Sequence, residues 1–127
     1  MVFPRARYMA VTAPLEALRP LTRSIEDRAG HHIPSDTEAL RLLTGYVDVL
    51  GRAPSLSDRK LISDVVAHIH DLMALALGTT RDGAALAHGR GVRAARLKAI
   101  QAHICENLAM GDLSVQGIAA HCGLSPR

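Results

Sequence analysis

Residues 35–77 read SDTEALRLLTGYVDVLGRAPSLSDRKLISDVVAHIHDLMALAL. Ser35-Asp-Thr-Glu38 has the pattern of a capping box, in which the Ser35 hydroxyl accepts from the amide of residue 38 and Glu38 reaches back. Leu40, Leu43, Val47 and Leu50 follow at steps of three and four, with Leu42, Tyr46 and Val49 as a second row beside them. Gly51 and Pro54 end this helix, and Ser57-Asp58 can start another. The second run carries Leu61, Val65, Ile69, Leu72 and Ala76 on one row, flanked by Ile62, Val66 and Met73. Gly78 then suits the position just past a helix C-terminus. The expected unit is an antiparallel pair of amphipathic helices joined by a short loop.

Both apolar stripes are wider than one partner helix would cover. The remainder must be buried by residues 1–30 or by a second copy of the chain, because soluble monomers avoid large exposed apolar patches. Self-association is therefore expected, with Leu43, Val47, Leu50, Val65, Ile69 and Leu72 at the dimer face.

Upstream, Pro14 to about Arg28 reads as a helical stretch limited by Pro20, and Gly30 to Pro34 as a loop. Downstream, residues 78–91 (GTTRDGAALAHGRG) hold four glycines and read as a linker with at most one helical turn. A further helix is expected with Leu97, Ile100, Ile104 and Leu108 at steps of three, four and four, ending at Met110-Gly111-Asp112. Residues 1–30, 31–81 and 88–127 are thus the expected divisions: a connecting segment, a helical pair, and a C-terminal region.

The whole chain has 127 residues and a formal charge of +3, too small to imply a partner by itself. The charge is uneven: +2 over residues 1–30, −2 over 31–87 and +3 over 88–127. The last region is where phosphate would be met, through groups such as Arg93 and Arg96. Two Tyr, one Phe and no Trp leave a core of aliphatic residues and argue against stacking platforms for single-stranded nucleic acid. Two cysteines, Cys105 and Cys122, exclude a disulfide-rich scaffold and fit a reducing compartment. The longest apolar run is far below the roughly 20 residues that cross a bilayer, and the N-terminus lacks a signal-peptide core. The expectation is an all-α cytoplasmic protein without a membrane segment.

Residues 113–127 (LSVQGIAAHCGLSPR) carry the functional signal. Ser114 can cap a short helix through the amides two or three residues on, with Val115 and Gln116 in its first turn. Cys122-Gly123-Leu124 makes a turn, and Ser125-Pro126 opens another helix with proline where its missing N–H costs nothing. Side-chain sizes agree with a helix-turn-helix. Ile118 and Cys122 lie one turn apart and face inward, Ala119 is small at the crossing, Gly123 supports positive φ, and Leu124 plugs the corner. A plain helical hairpin has the same outline.

The series from Ile104 to Arg127, IxxNLxxxDLSVxxIAxHCGLSPR, resembles the opening of the DNA-binding domain of AraC/XylS-type regulators. Ile104, Asn107, Leu108, Leu113, Ser114, Ile118, Ala119, Gly123, Ser125, Pro126 and Arg127 match that family's ordered pattern. Ile33–Leu43 is similar to its inter-domain helix, and Phe3-Pro4-Arg5 to the close of its sensor barrel. The resemblance implies a transcription regulator that works as a homodimer on DNA, with RNA polymerase a further candidate partner and no cofactor. It implies phosphate contacts from Arg93, Arg96, Ser114, Val115, Gln116, Ser125 and Arg127. Two departures stand out. The series stops at Arg127, in the first turn of the first recognition helix, so sequence-specific binding is not expected of these residues. Gly117 replaces the frequent glutamate, removing the partner of Ser114 in a capping box and costing about 1 kcal/mol of helix propensity.

Other chemistry is weakly signalled. His68 and His70 are two apart on a helix, so their rings diverge, and they read as solvent-facing or locally bonded. His103/Cys105 and His121/Cys122 offer ligand atoms without metal-site spacing, and Cys122 suits a small core position. Gly89-Arg-Gly91 lacks the strand and lysine of a phosphate loop, and no catalytic motif is present, so neither an enzyme nor a metal site is expected.

Overall fold

The structure, a computed structural model, describes residues 8–111 and 113–124. These are helical, without strands apart from an isolated antiparallel bridge between Thr22 and Thr79. In chain order the α-helices are α1 (Leu15–Leu18), α2 (Glu38–Arg52), α3 (Arg59–Leu77), α4 (Arg81–Ala87), α5 (Arg93–Asn107) and α6 (Val115–His121). Short 3-10 turns occupy Ile25–Arg28 and Leu108–Met110.

The two central helices form where the apolar rows place them. Asp58 caps α3, its carboxylate accepting from the amides of Lys60 and Leu61 at 2.8 and 3.3 Å. Gly78, at φ 102°, ends it in a conformation costly for any residue with a Cβ. The expected capping box is not used. Thr37, not Ser35, stands at the α2 N-cap and makes no side-chain cap bond, while Glu38 instead accepts from Arg96 at 2.9 Å. Upstream, the helical stretch limited by Pro20 is two short pieces, the single turn α1 before Pro20 and the 3-10 turn at Ile25–Arg28. Leu18 of α1 and the following Thr22 are buried, and backbone bonds Thr80 N–H to Leu21 O (3.2 Å) and Arg23 N–H to Gly78 O (3.3 Å) tie this segment to the turn after α3.

The largest departure from the sequence reading lies between Arg81 and Val92. Residues 81–87 are helix, residues His88–Val92 are a π-turn, and α5 continues with no break in right-handed helical backbone. Composition misleads here because two of the glycines serve packing. A Cβ on Gly83 would overlap the backbone carbonyl of Leu21, and one on Gly91 would stand 2.6 Å from Asp71 Cβ. Glycine lets these helices approach closely. The π-turn inserts one extra residue, so that Ala87 and Val92, five apart, both reach the buried side of the same helix.

Three long elements therefore make the bundle. The turn at residues 53–58 sends α3 back along α2, and the turn at residues 78–80 sends α4 back along α3. Ion pairs Glu38–Arg96 (2.9 Å) and Asp48/Glu106 with Arg52 (2.6 and 3.6 Å) show α2 and α5 running parallel. The core is Leu43 and Tyr46 of α2, Leu72 of α3, Val92 and Ala95, with Leu42, Val47, Leu50, Val65, Ile69, Met73 and Leu75 packed around them.

That list contains all six residues expected at a dimer face. In the structure Leu43, Val47, Leu50, Val65, Ile69 and Leu72 belong to the chain's own core, because the π-turn brings α5 over them as the third helix. The helix expected around Leu97, Ile100 and Ile104 is present as α5, but that apolar row is not its most buried side. Leu97 and Leu108 are exposed, Ile100 and Ile104 half-buried, and the helix packs through Val92 and Ala95.

One consequence is testable in alkali. Tyr46 is buried, its hydroxyl 3.0 Å from His68 Nδ1, and burial raises its pKa above the ordinary 10.0. The folded chain thus holds the phenolic proton more tightly than the unfolded chain. This contribution to stability is fully present below pH 10.0 and is lost as pH rises above it. Denaturant melts across that range are expected to show the decline in the native protein and its weakening in Tyr46→Phe. The variant should lose about 1 kcal/mol at neutral pH, the usual net worth of one hydrogen bond.

Candidate functional site

α6 is built as its sequence suggests. The Ser114 hydroxyl accepts from the Gly117 amide at 3.0 Å, capping a helix of seven residues. At the other end the Leu124 amide donates to Ala119 O (2.7 Å) and the Gly123 amide to Ala120 O (3.3 Å), with Gly123 at φ 66°. This pair of bonds is a Schellman closure, which needs the left-handed residue glycine supplies. Ala119 is buried, and Ile118, Cys122 and Leu124 are half-buried. Asp112, Ser125, Pro126 and Arg127, like Phe3-Pro4-Arg5, lie outside the described residues.

Among the described residues, those expected to contact phosphate are not gathered together. Ser114, Val115 and Gln116 are exposed at the start of α6, and Arg93 is exposed at the start of α5. The α6 contact with α5 lies at His103, ten residues along, which is about 15 Å of helix from Arg93. Arg96 is committed to Glu38.

Between α2, α5 and the end of α6 runs an open groove of about 660 Å³. Its lining includes Gly45 of α2 and Ala99 and Ala102 of α5, small residues that leave space between the two parallel helices, and Ala120 of α6. Three carboxylates (Glu38, Asp48, Glu106) and three guanidiniums (Arg41, Arg52, Arg96) line it. The pairs among them are solvent-exposed and each worth at most about 1 kcal/mol. Where α6 closes the groove, the rings of His103 and His121 stack with centroids 4.0 Å apart and planes at 20°. Asn107 Nδ2 stands 3.3 Å from His103 Nδ1 and donates to His103 O at 2.8 Å.

Sequence spacing gave no hint of that stack, since the two histidines are eighteen residues apart on different helices. It likewise missed two contacts of α3. His68 bonds Tyr46 across the bundle, neither solvent-facing nor local. Asp71, wholly buried, receives both Arg90 Nε (2.6 Å) and Arg90 Nη2 (2.8 Å). This two-pronged bond to a carboxylate raises the Arg90 pKa, against an opposing effect of burial, so the guanidinium stays charged at any physiological pH. An acid in the middle of an amphipathic helix is the only local sign of this pair, and its partner sits in what reads as a linker.

Among the described residues no three His, Cys, Asp or Glu side chains are grouped to hold a metal ion. Among them, too, no helix is long and apolar enough to cross a membrane. No protein-family model, curated protein or solved structure matches the chain.

Proposed function

We propose that the chain is the helical part of a cytoplasmic DNA-binding transcription regulator of the AraC type. In this reading the three-helix bundle is the scaffold and α6 with its turn is the front half of a helix-turn-helix unit. The observation that carries the reading is α6 itself. Its serine cap, buried Ala119 and glycine-closed turn reproduce the side-chain roles such a unit assigns to this stretch. Phosphate contacts position such a protein, whereas base contacts from the recognition helix specify sequence. Binding by these residues alone should then be weak and indifferent to sequence, with Kd on the order of 10⁻⁴ M at physiological salt.

The test is titration of the labelled protein with duplex DNA at about 50 and about 200 mM salt, followed by NMR. Shifts centred on α6 and on Arg93 and Lys98 of α5, fading at the higher salt, are expected. Shifts confined to α2 and α3, or sub-micromolar preference for one duplex over its scrambled version, would sink the proposal.

A second reading, a homodimerisation module with no DNA contact of its own, draws on one observation. Leu61, Ile62 and Val66 on the first half of α3 are 46%, 39% and 43% exposed, a contiguous apolar ridge. In that reading the dimer face is this ridge rather than the buried Leu43–Leu72 set, and Ile62→Glu would leave the chain folded but monomeric in light scattering.

A further inference from the structure

Residues 8–37 precede the bundle, and among them Leu18 and Thr22 alone are buried. Leu18 sits on the single turn α1, which packs on α3. Thr22 faces Thr79 in the isolated bridge, where Thr80 N–H donates to Leu21 O at 3.2 Å and Arg23 N–H to Gly78 O at 3.3 Å. The Leu21 carbonyl enters a notch at Gly83 of α4, which a Cβ on that residue would fill. Thr22 Oγ1 donates to Leu18 O at 2.9 Å, so the docked segment keeps its shape through a bond of its own.

This joint has the form of a peptide complex within one chain. Main-chain pairing combined with a side-chain pocket is a common means of binding an extended segment. None of these contacts involves residues 29–37, the tether to α2, which are exposed or half-buried. The hold is also slight. Both backbone bonds are at the long end of the usual range. Ser24, just past the bridge, stands at φ 43°, a left-handed conformation costly for a residue with a Cβ. Release removes that cost.

We infer that residues 15–23 are a releasable strap closing a peptide-docking groove between the end of α3 and α4. The partner that fits the opened groove is a protein segment with a leucine four residues ahead of the residue facing Thr79. Its backbone accepts from Thr80 N–H and donates to Gly78 O, as Leu21 and Arg23 do in the strap. Strap and partner compete, so the apparent affinity for the partner falls with the fraction of chains in which the strap is open. The strap operates whether or not α6 meets DNA.

The experiment titrates the full chain into a fluorescent peptide of residues 13–24, read by anisotropy, with amide exchange as a second readout. In the native chain the Arg23 and Thr80 amides should exchange faster than those of α3 around Leu72, because the strap opens without the bundle. The peptide should bind weakly to the native chain and about tenfold more tightly to Leu18→Ala, which removes one buried leucine from the strap and leaves the groove intact. Arg23→Pro, which deletes the donor to Gly78 O, should act in the same direction and covers the case in which Leu18→Ala disturbs the bundle. Gly83→Ala should abolish peptide binding while α3 stays protected, since alanine favours helix over glycine but fills the notch. Arg23 and Thr80 amides as slow as those of α3 would overturn the inference. So would peptide binding that neither strap variant strengthens, or that survives Gly83→Ala.

Discussion

Arg90→Ala is expected to lower the stability of the bundle by about 3 kcal/mol, the lower end of the range for breaking a buried ion pair. Asp71 is completely buried, and Arg90 Nε and Nη2 are its only side-chain partners among the described residues. Removing the guanidinium leaves an acceptor with no donor, and that unmet charge is the main cost. The Arg90 side chain is 42% exposed, so its vacated site admits some water, which is why the lower end applies. Asp71→Asn should cost less, about 1–2 kcal/mol, because it removes the buried charge while Arg90 can still reach solvent. Urea melts of both variants check the ordering. A larger loss in Asp71→Asn than in Arg90→Ala would mean that Asp71 is not the buried partner.

Leu72→Ala should be of similar or greater size, between about 2 and 5 kcal/mol. Leu72 has no exposed surface and sits at the centre of the cluster of Leu43, Tyr46, Val92 and Ala95. Its removal opens a cavity lined by three helices, and the close approach of Gly91 to Asp71 one residue away leaves little freedom to collapse into it. Leu61→Ala, on the exposed part of the same helix, should change stability by less than about 0.5 kcal/mol. A melt in which the two variants shift equally would show that α3 does not bury the face described.

How much of this was legible in the sequence follows from which forces are local. The spans of α2 and α3, the Asp58 cap, the Gly78 stop, and the whole of α6 with its Gly123 turn depend on neighbours within four or five residues. Those could be read directly. The π-turn could not, because its cause is a contact across the bundle. Gly91 is glycine so that α3 can approach, and Arg90 lies where it does because Asp71 is buried opposite. Read locally, the same residues signal a linker. The error then spread. Without a third helix over them, Leu43, Val47, Leu50, Val65, Ile69 and Leu72 looked like a surface awaiting a second copy. In α5 the regular row of Leu97, Ile100, Ile104 and Leu108 located the helix, whereas packing selected Val92, Ala95 and the smaller residues facing α2. The histidine stack was beyond reach for the same reason as the ion pair. It joins two helices whose relative placement no local pattern encodes.

The scaffold holds α6 in place only if helix runs unbroken from Arg81 to Asn107. Amide hydrogen exchange at His88–Val92 measures this most directly. A π-turn packed on α3 predicts protection comparable to that of Ala95 and the neighbouring positions of α5. Exchange at these five amides at the rate of an unstructured glycine-rich linker, beside a protected α3, would contradict the account.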